Sequence, residues 1–186
     1  MMDQFLEEVV TKRNKGMETA TFIVANVVMV LFAFMAFLDF ASITSVLAAE
    51  GFGLTFVLVL VRMIIFGGLA FLMFIFRDRV KTEYEYTFTN GQMDFAQVYN
   101  NKKRKNLGTM NLKNVEAMGL VNSGSFNRYI NMPGIKRSNW FVNRDAQLFY
   151  FYFSKDQQKR IIIIEASDEM ITLIKRYAAQ GAFQVN

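Results

Sequence analysis

At 186 residues the chain has room for about one ordinary domain, and 53% of it is hydrophobic, including 20 Phe and 12 Met. It contains no cysteine and no histidine, which excludes disulfides, thiolate nucleophiles, thiolate metal sites and the commonest general base and metal ligand. The net charge of +5 is unevenly placed: residues 77–186 carry 17 Lys and Arg against 10 Asp and Glu, so the C-terminal part is basic and predicts an anionic neighbour.

The first residues, Asp3 to Arg13 (DQFLEEVVTKR), put Phe5, Leu6, Val9 and Val10 on one face at helical spacing, with acidic residues first and basic ones last. This predicts a short amphipathic cytoplasmic segment over 1–18 that lies in the membrane interface or docks on the following domain. Thr19 to Leu38 has no charged residue, and its one strongly polar side chain is Asn26. Its 20 residues would reach about 30 Å as a helix, the thickness of a hydrocarbon core.

A connector, Asp39 to Gly53, holds Asp39 and Glu50 but no Lys or Arg. Leu54 to Phe76 is a second apolar stretch with one charge, Arg62. Lys12, Arg13 and Lys15 precede the first stretch, and Arg77, Arg79 and Lys81 follow the second. The positive-inside rule then places both termini in the cytoplasm, the connector outside and the chain in the cell membrane. Val46-Leu47-Ala48 resembles a leader-cleavage site, but the apolar stretch is too long for a leader and ends well before it.

Arg62 and Asn26 are the intramembrane polar groups. An intramembrane charge marks an ion path in some proteins. The competing reading, a snorkelling Arg62 whose guanidinium reaches water, Asp39 or Glu50, carries the greater weight. Gly67-Gly68 suits a close contact between helices.

After Lys81 the period changes. Thr82 to Thr89 (TEYEYTFT) alternates strictly, Asn90-Gly91 is a hairpin turn, and Gln92 to Tyr99 is the returning strand. Lys102-Lys103-Arg104-Lys105 follows as a basic loop. Further strands are predicted over Leu107–Leu112, Val115–Val121, Trp140–Val142, Gln147–Ser154 and Arg160–Glu165. Asn143-Arg144-Asp145 and Lys155-Asp156-Gln157 serve as hairpin turns between the last three. Ser167 caps a C-terminal helix with Met170, Leu173, Ile174 and Tyr177 as its apolar stripe and Gly181 at its end. About seven antiparallel strands closed by one helix is the element order of a pleckstrin-homology-like barrel, here an α+β, mainly-β cytoplasmic domain over 77–186.

Candidate binding residues are Lys102, Lys103, Arg104 and Lys105, and, in the polar and aperiodic stretch Asn122 to Asn139, Arg128, Lys136 and Arg137. Near an anionic leaflet each cation contributes on the order of 1 kcal/mol. A solvated loop and a mobile connector are the plainer alternatives. Phe149 to Phe153 (FYFYF) reads as a core face and a half-covered outer face. No phosphate-binding glycine motif and no paired carboxylates occur, which predicts no catalysis, no metal and no cofactor. Aromatics are not interleaved with the basic run, so no nucleic-acid partner is predicted.

The run EYEYTFTNGQMD (Glu83 to Asp94), the KKRK cluster and RIIIIEASDEM (Arg160 to Met170) resemble a family of small bacterial membrane proteins. Its layout is a short amphipathic segment, two spans and a C-terminal pleckstrin-homology-like domain. The resemblance implies that architecture and no activity. The residues then predict a membrane-anchored, non-catalytic module that docks a protein partner or anionic lipid at the inner leaflet. An accessory subunit of a larger membrane complex, in contact with another membrane protein or further copies of itself, is the alternative. A membrane enzyme is the least supported reading.

Overall fold

A computed structural model describes residues 4–184. They form two compact units: residues 14–81 make one, and the residues before 14 join those after 81 to make the other.

The first unit is a pair of antiparallel helices. Helix α1 covers Lys15–Glu50, capped by Asn14, whose side chain accepts from Met17 N–H at 3.0 Å. Helix α2 covers Leu54–Phe76, the bounds read from the sequence, and ends in a 3-10 turn at Arg77–Val80. Both are long and apolar enough to cross a membrane. Most of the expected connector is helical. The chain stays helical for twelve residues past Leu38, because nothing in DFASITSVLAAE breaks a helix before Gly51. Asp39 is therefore a helical residue, and it is almost fully buried against Arg62, whose Nε donates to it at 2.9 Å. Phe32 stacks on Phe66 at 6.0 Å, and Gly67 faces Ala36, the close approach a small residue permits.

The second unit contains two four-stranded sheets. Sheet A runs in the order β1-β2-β3-β4, with β1 Phe5–Val10, β2 Thr82–Thr89, β3 Gln92–Tyr99 and β4 Lys103–Asn111. Its central hairpin has the expected Asn90-Gly91 turn, both residues at positive φ (48° and 89°). The Tyr84, Tyr86 and Phe88 face is buried.

Sheet A overturns two expectations. The N-terminal segment is a strand, not a helix: β1 pairs antiparallel with β2 from Phe5↔Thr89 to Val10↔Tyr84. Apolar groups at 5, 6, 9 and 10 carry helical spacing, with Glu7 and Glu8 interrupting strand alternation, and pairing with the open edge of β2 overrides that local signal. Asp3, the first residue of the expected helix, lies outside the described residues. The basic loop is also mostly strand. Asn100 and Asn101 adopt positive φ (50° and 52°) and turn the chain at once, so Lys103, Arg104 and Lys105 open β4.

Sheet B runs β5-β7-β8-β6, with β5 Ala117–Leu120, β6 Lys136–Trp140, β7 Leu148–Lys155 and β8 Gln158–Glu165. The β7–β8 hairpin turns at Asp156-Gln157, as expected. The hairpin expected between β6 and β7 does not form, because β6 pairs parallel with β8. The stretch 122–139, expected to be a loop, instead supplies helix α3 (Gly124–Ile130) and most of β6.

This rearrangement explains the two most apolar runs. Phe149, Phe151, Ile162 and Ile164 face sheet A in the main core. Tyr150, Tyr152, Ile161 and Ile163 pack on the other side under Phe126, Tyr129 and Ile130. A strand covered on both faces reads as a continuous apolar run. The outer tyrosine face, expected half-covered, is thus fully buried by α3 and its flanks.

Helix α4 (Asp168–Tyr177) is capped by Ser167 and buries Met170, Ile171 and Ile174 in the main core. It ends at Tyr177 with Ala178 as its cap, three residues before Gly181, which instead takes a left-handed turn. The strands do not close into a barrel: two sheets face each other, and β4 and β6 end them as outermost strands.

Candidate ligand-binding site

A catalytic site would recruit the domain's buried polar groups, and Tyr86, Tyr150, Ser125 and Asn143 are hydrogen-bonded within the fold. Tyr86 O–H donates to the Trp140 carbonyl, and the Tyr150 and Ser125 hydroxyls are hydrogen-bonded at 3.0 Å. Burial pushes both tyrosine hydroxyls above their usual range, which holds them neutral. Asn143, expected in a turn, is an anchor. Its side chain accepts from Arg13 N–H at 3.0 Å, donates to Thr11 O at 2.9 Å and donates to Glu165 at 3.0 Å. It pins the chain where β1 leaves the domain. No group of three or more potential metal ligands occurs among the described residues.

Glu8 reaches from β1 to the start of α4, where Ser167 N–H donates to it at 3.0 Å. Burial raises its carboxyl above the usual carboxylate range, partly offset by the hydrogen bonds from Ser167 and reinforced by Glu165 and Glu169. A carboxyl raised in the folded state favours protonation there, so its contribution is best at low pH and is lost as pH rises through the raised value. Glu8→Gln is therefore expected to gain stability over the parent as pH climbs from acid towards neutral. Urea midpoints across that range check this; a constant or shrinking advantage would refute it.

The predicted basic residues do not form one cluster. Lys102 lies in the β3–β4 turn, and Lys103, Arg104 and Lys105 are all exposed at the start of β4. Successive strand residues point to opposite faces, and Arg104 forms an ion pair with Glu85 of β2 at 2.9 Å. Arg128 is on α3, and Arg137 is tied back to the Ile130 carbonyl at 2.5 Å. In the helical unit, Asn26 accepts from Arg77 at 2.7 Å and donates to Phe22 O at 2.7 Å. Asn26 and Arg62 are thus both engaged within the hairpin.

Arg104 lines one cleft, with Thr87, Asp94 and Asn106, and Lys136 lines another. The Lys136 cleft has a volume of about 230 Å³ and lies between the outer strands β4 and β6. Lys136, Lys155 and Arg160 bring three positive charges to it, and no lining residue is acidic. Leu107, Trp140, Phe153 and Ile162 supply apolar walls. Arg160 Nε is buried there without a hydrogen-bond partner, and the nearest described carboxylate, Asp156, is 3.9 Å from Nη2. Register shifts at this point, with Phe95 opposite Gly108 and Ala96 opposite Asn106, which leaves Leu107 as a bulge. Gly108 (φ +142°) has open space where a Cβ would stand.

Sequence reasoning missed Lys155 and Arg160 because they flank a hairpin turn and looked like ordinary solvated charges. Only the parallel β6–β8 pairing brings Lys136 opposite Arg160.

The model of a family described as a bacterial PH-like domain (DUF6106) matches residues 2–184. The chain belongs to that family. The match includes β1 and both apolar helices, so the PH-like domain and its helical insertion are one family unit. No curated protein and no solved structure matches the chain. PH-like domains generally bind rather than catalyse.

Proposed function

We propose that this PH-like protein is a non-catalytic binding module, anchored in the cell membrane by its helical hairpin, that docks a protein partner or anionic lipid on the cytoplasmic side. The observation that carries this is the interruption of one sheet: β1 and β2 are hydrogen-bonded neighbours, yet α1 and α2 lie between them in the chain. A folded sheet cannot have its strands on opposite sides of a bilayer, so the helices must leave and return to the same side. The positive flanks, Lys12, Arg13 and Lys15 before and Arg77, Arg79 and Lys81 after, favour that side being the cytoplasm. The exterior of both helices is apolar, with Phe34, Phe37, Leu58, Ile64 and Phe71 about half or more exposed, as lipid contact requires.

The absence of native cysteine gives a direct test. Phe52→Cys, in the turn between the helices, should react with a membrane-impermeant maleimide added to intact cells, after outer-membrane permeabilisation where one is present. Lys113→Cys, in the domain, should react only after lysis. Labelling of Lys113→Cys in intact cells, or protection of Phe52→Cys there, would refute the anchored-module reading.

A further inference from the structure

The cleft has no occupant among the described residues, and its chemistry narrows what would fill it. We propose that it takes an extended, acidic peptide segment of a partner protein, which adds as a strand along β4 or β6 and sets its carboxylates against Lys136, Lys155 and Arg160. This inference rests on the binding-module reading and supplies its ligand class.

Three observations converge on a peptide. An outermost strand presents unpaired backbone N–H and C=O groups along its edge, and two of the strands that line this cleft, β4 and β6, are outermost. Another sheet edge is already covered by the chain itself: Met118 of β5 donates to Ala182 O and accepts from Gln184 N–H, each at 2.8 Å. The cleft edges have no such backbone cover among the described residues, and only the Asn139 and Trp140 carbonyls of β6 are seen to accept side-chain hydrogen bonds, from Tyr84 and Tyr86. Strand addition supplies main-chain hydrogen bonds for affinity and reads alternate side chains for specificity.

The second observation is charge. Three cations with no lining carboxylate, and only Asp156 nearby among the described residues, at 3.9 Å from Arg160, leave an excess that an acidic segment would balance. Arg160 Nε, buried and without an acceptor, is a donor whose desolvation is uncompensated until a carboxylate or carbonyl reaches it.

The third is the mixed lining. Leu107, Trp140, Phe153 and Ile162 stand among the cations, which suits a strand of alternating acidic and apolar residues. A lipid headgroup would use the cations and leave the strand edges and apolar walls unmatched. The Leu107 bulge and the open side of Gly108 let an incoming backbone approach β4 closely.

The test uses the full chain in non-ionic detergent and a fluorescent peptide of alternating Glu and Val, about eight residues long, within ordinary strand length. Fluorescence anisotropy should show saturable binding of this peptide, none of a Lys-Val counterpart, and none of a Glu-Val peptide with alternate amides N-methylated. Arg160→Gln should weaken binding about tenfold, the scale of one charge-assisted hydrogen bond. Lys136→Gln, at an exposed edge position, should weaken it in the same direction and serves if Arg160→Gln fails to fold. Amide exchange at residues 107–110 or 136–140 should slow on binding.

Equal binding of the Glu-Val and Lys-Val peptides, or of the N-methylated and plain peptides, would overturn the proposal. So would failure of the parent to bind any peptide, or Arg160-dependent binding of phosphatidylglycerol vesicles without peptide binding. If any of these occurred while the cysteine labelling stood, the cleft assignment would fall and the anchored module would remain. Reversed labelling would remove the module reading whatever the peptide did.

Discussion

A fragment beginning at Lys81 and running to the end of the chain is expected to lack a stable fold, although it contains every strand except one. The missing strand is β1. Without it Val10 leaves the main core, Leu6 no longer packs on it, and Tyr84, Tyr86 and Phe88 lose the neighbour on their open edge. Burying a Val or Leu side chain contributes about 1.5–3 kcal/mol, and each lost backbone hydrogen bond costs about 1 kcal/mol net. The deletion therefore costs on the order of 5 kcal/mol against a total of about 5–15 kcal/mol for an ordinary domain. Glu8 and Arg13 also hold Ser167, Asn143 and Asp145, at 2.8–3.0 Å, and those contacts go with it. Joining residues 1–13 to residues 82–186 through a flexible linker in place of the hairpin should restore a cooperative urea transition by circular dichroism. A fragment from Lys81 that melts as cooperatively as the linked version would show that β1 is dispensable.

The largest effect in the helical unit is expected at Asp39. It is almost wholly buried, and Arg62 both donates to it at 2.9 Å and forms a close ion pair with it. Removing one member of such a pair leaves an uncompensated charge among apolar residues, whereas removing both leaves none. Asp39→Ala should therefore sharply reduce the amount of chain accumulating in the membrane fraction. Asp39→Asn combined with Arg62→Gln should recover most of it, because the two amides replace the charged contact with a neutral one. Immunoblots of membrane fractions check both. A double variant no better than Asp39→Ala would mean that Arg62 has a role beyond pairing. An unaffected Asp39→Ala would mean that the pair does not hold the hairpin together.

The sequence by itself determined the apolar helices, the Asn90-Gly91 hairpin, the β7–β8 hairpin and the capped C-terminal helix. Each is specified by neighbours in the chain: an uninterrupted apolar run, two residues tolerant of positive φ, or a Ser followed by acidic groups. It also determined that the domain is basic and has no thiol or imidazole chemistry. The tertiary structure decided the rest, wherever local readings were ambiguous or were outweighed by a distant partner. Phe5 to Val10 has helical spacing, and the edge of β2, some eighty residues away in sequence, makes it a strand. Lys103 to Lys105 fits a loop or a strand, and pairing with β3 makes it a strand.

The cleft was the least legible feature. It exists because β6 pairs parallel with β8 rather than turning back on β7, which leaves β4 and β6 as the sheet ends lining it. Such a pairing is decided by burial of Trp140 against Phe95 (5.0 Å between rings) and of the tyrosine face under α3. Those contacts join residues far apart in the chain, and no local spacing encodes them.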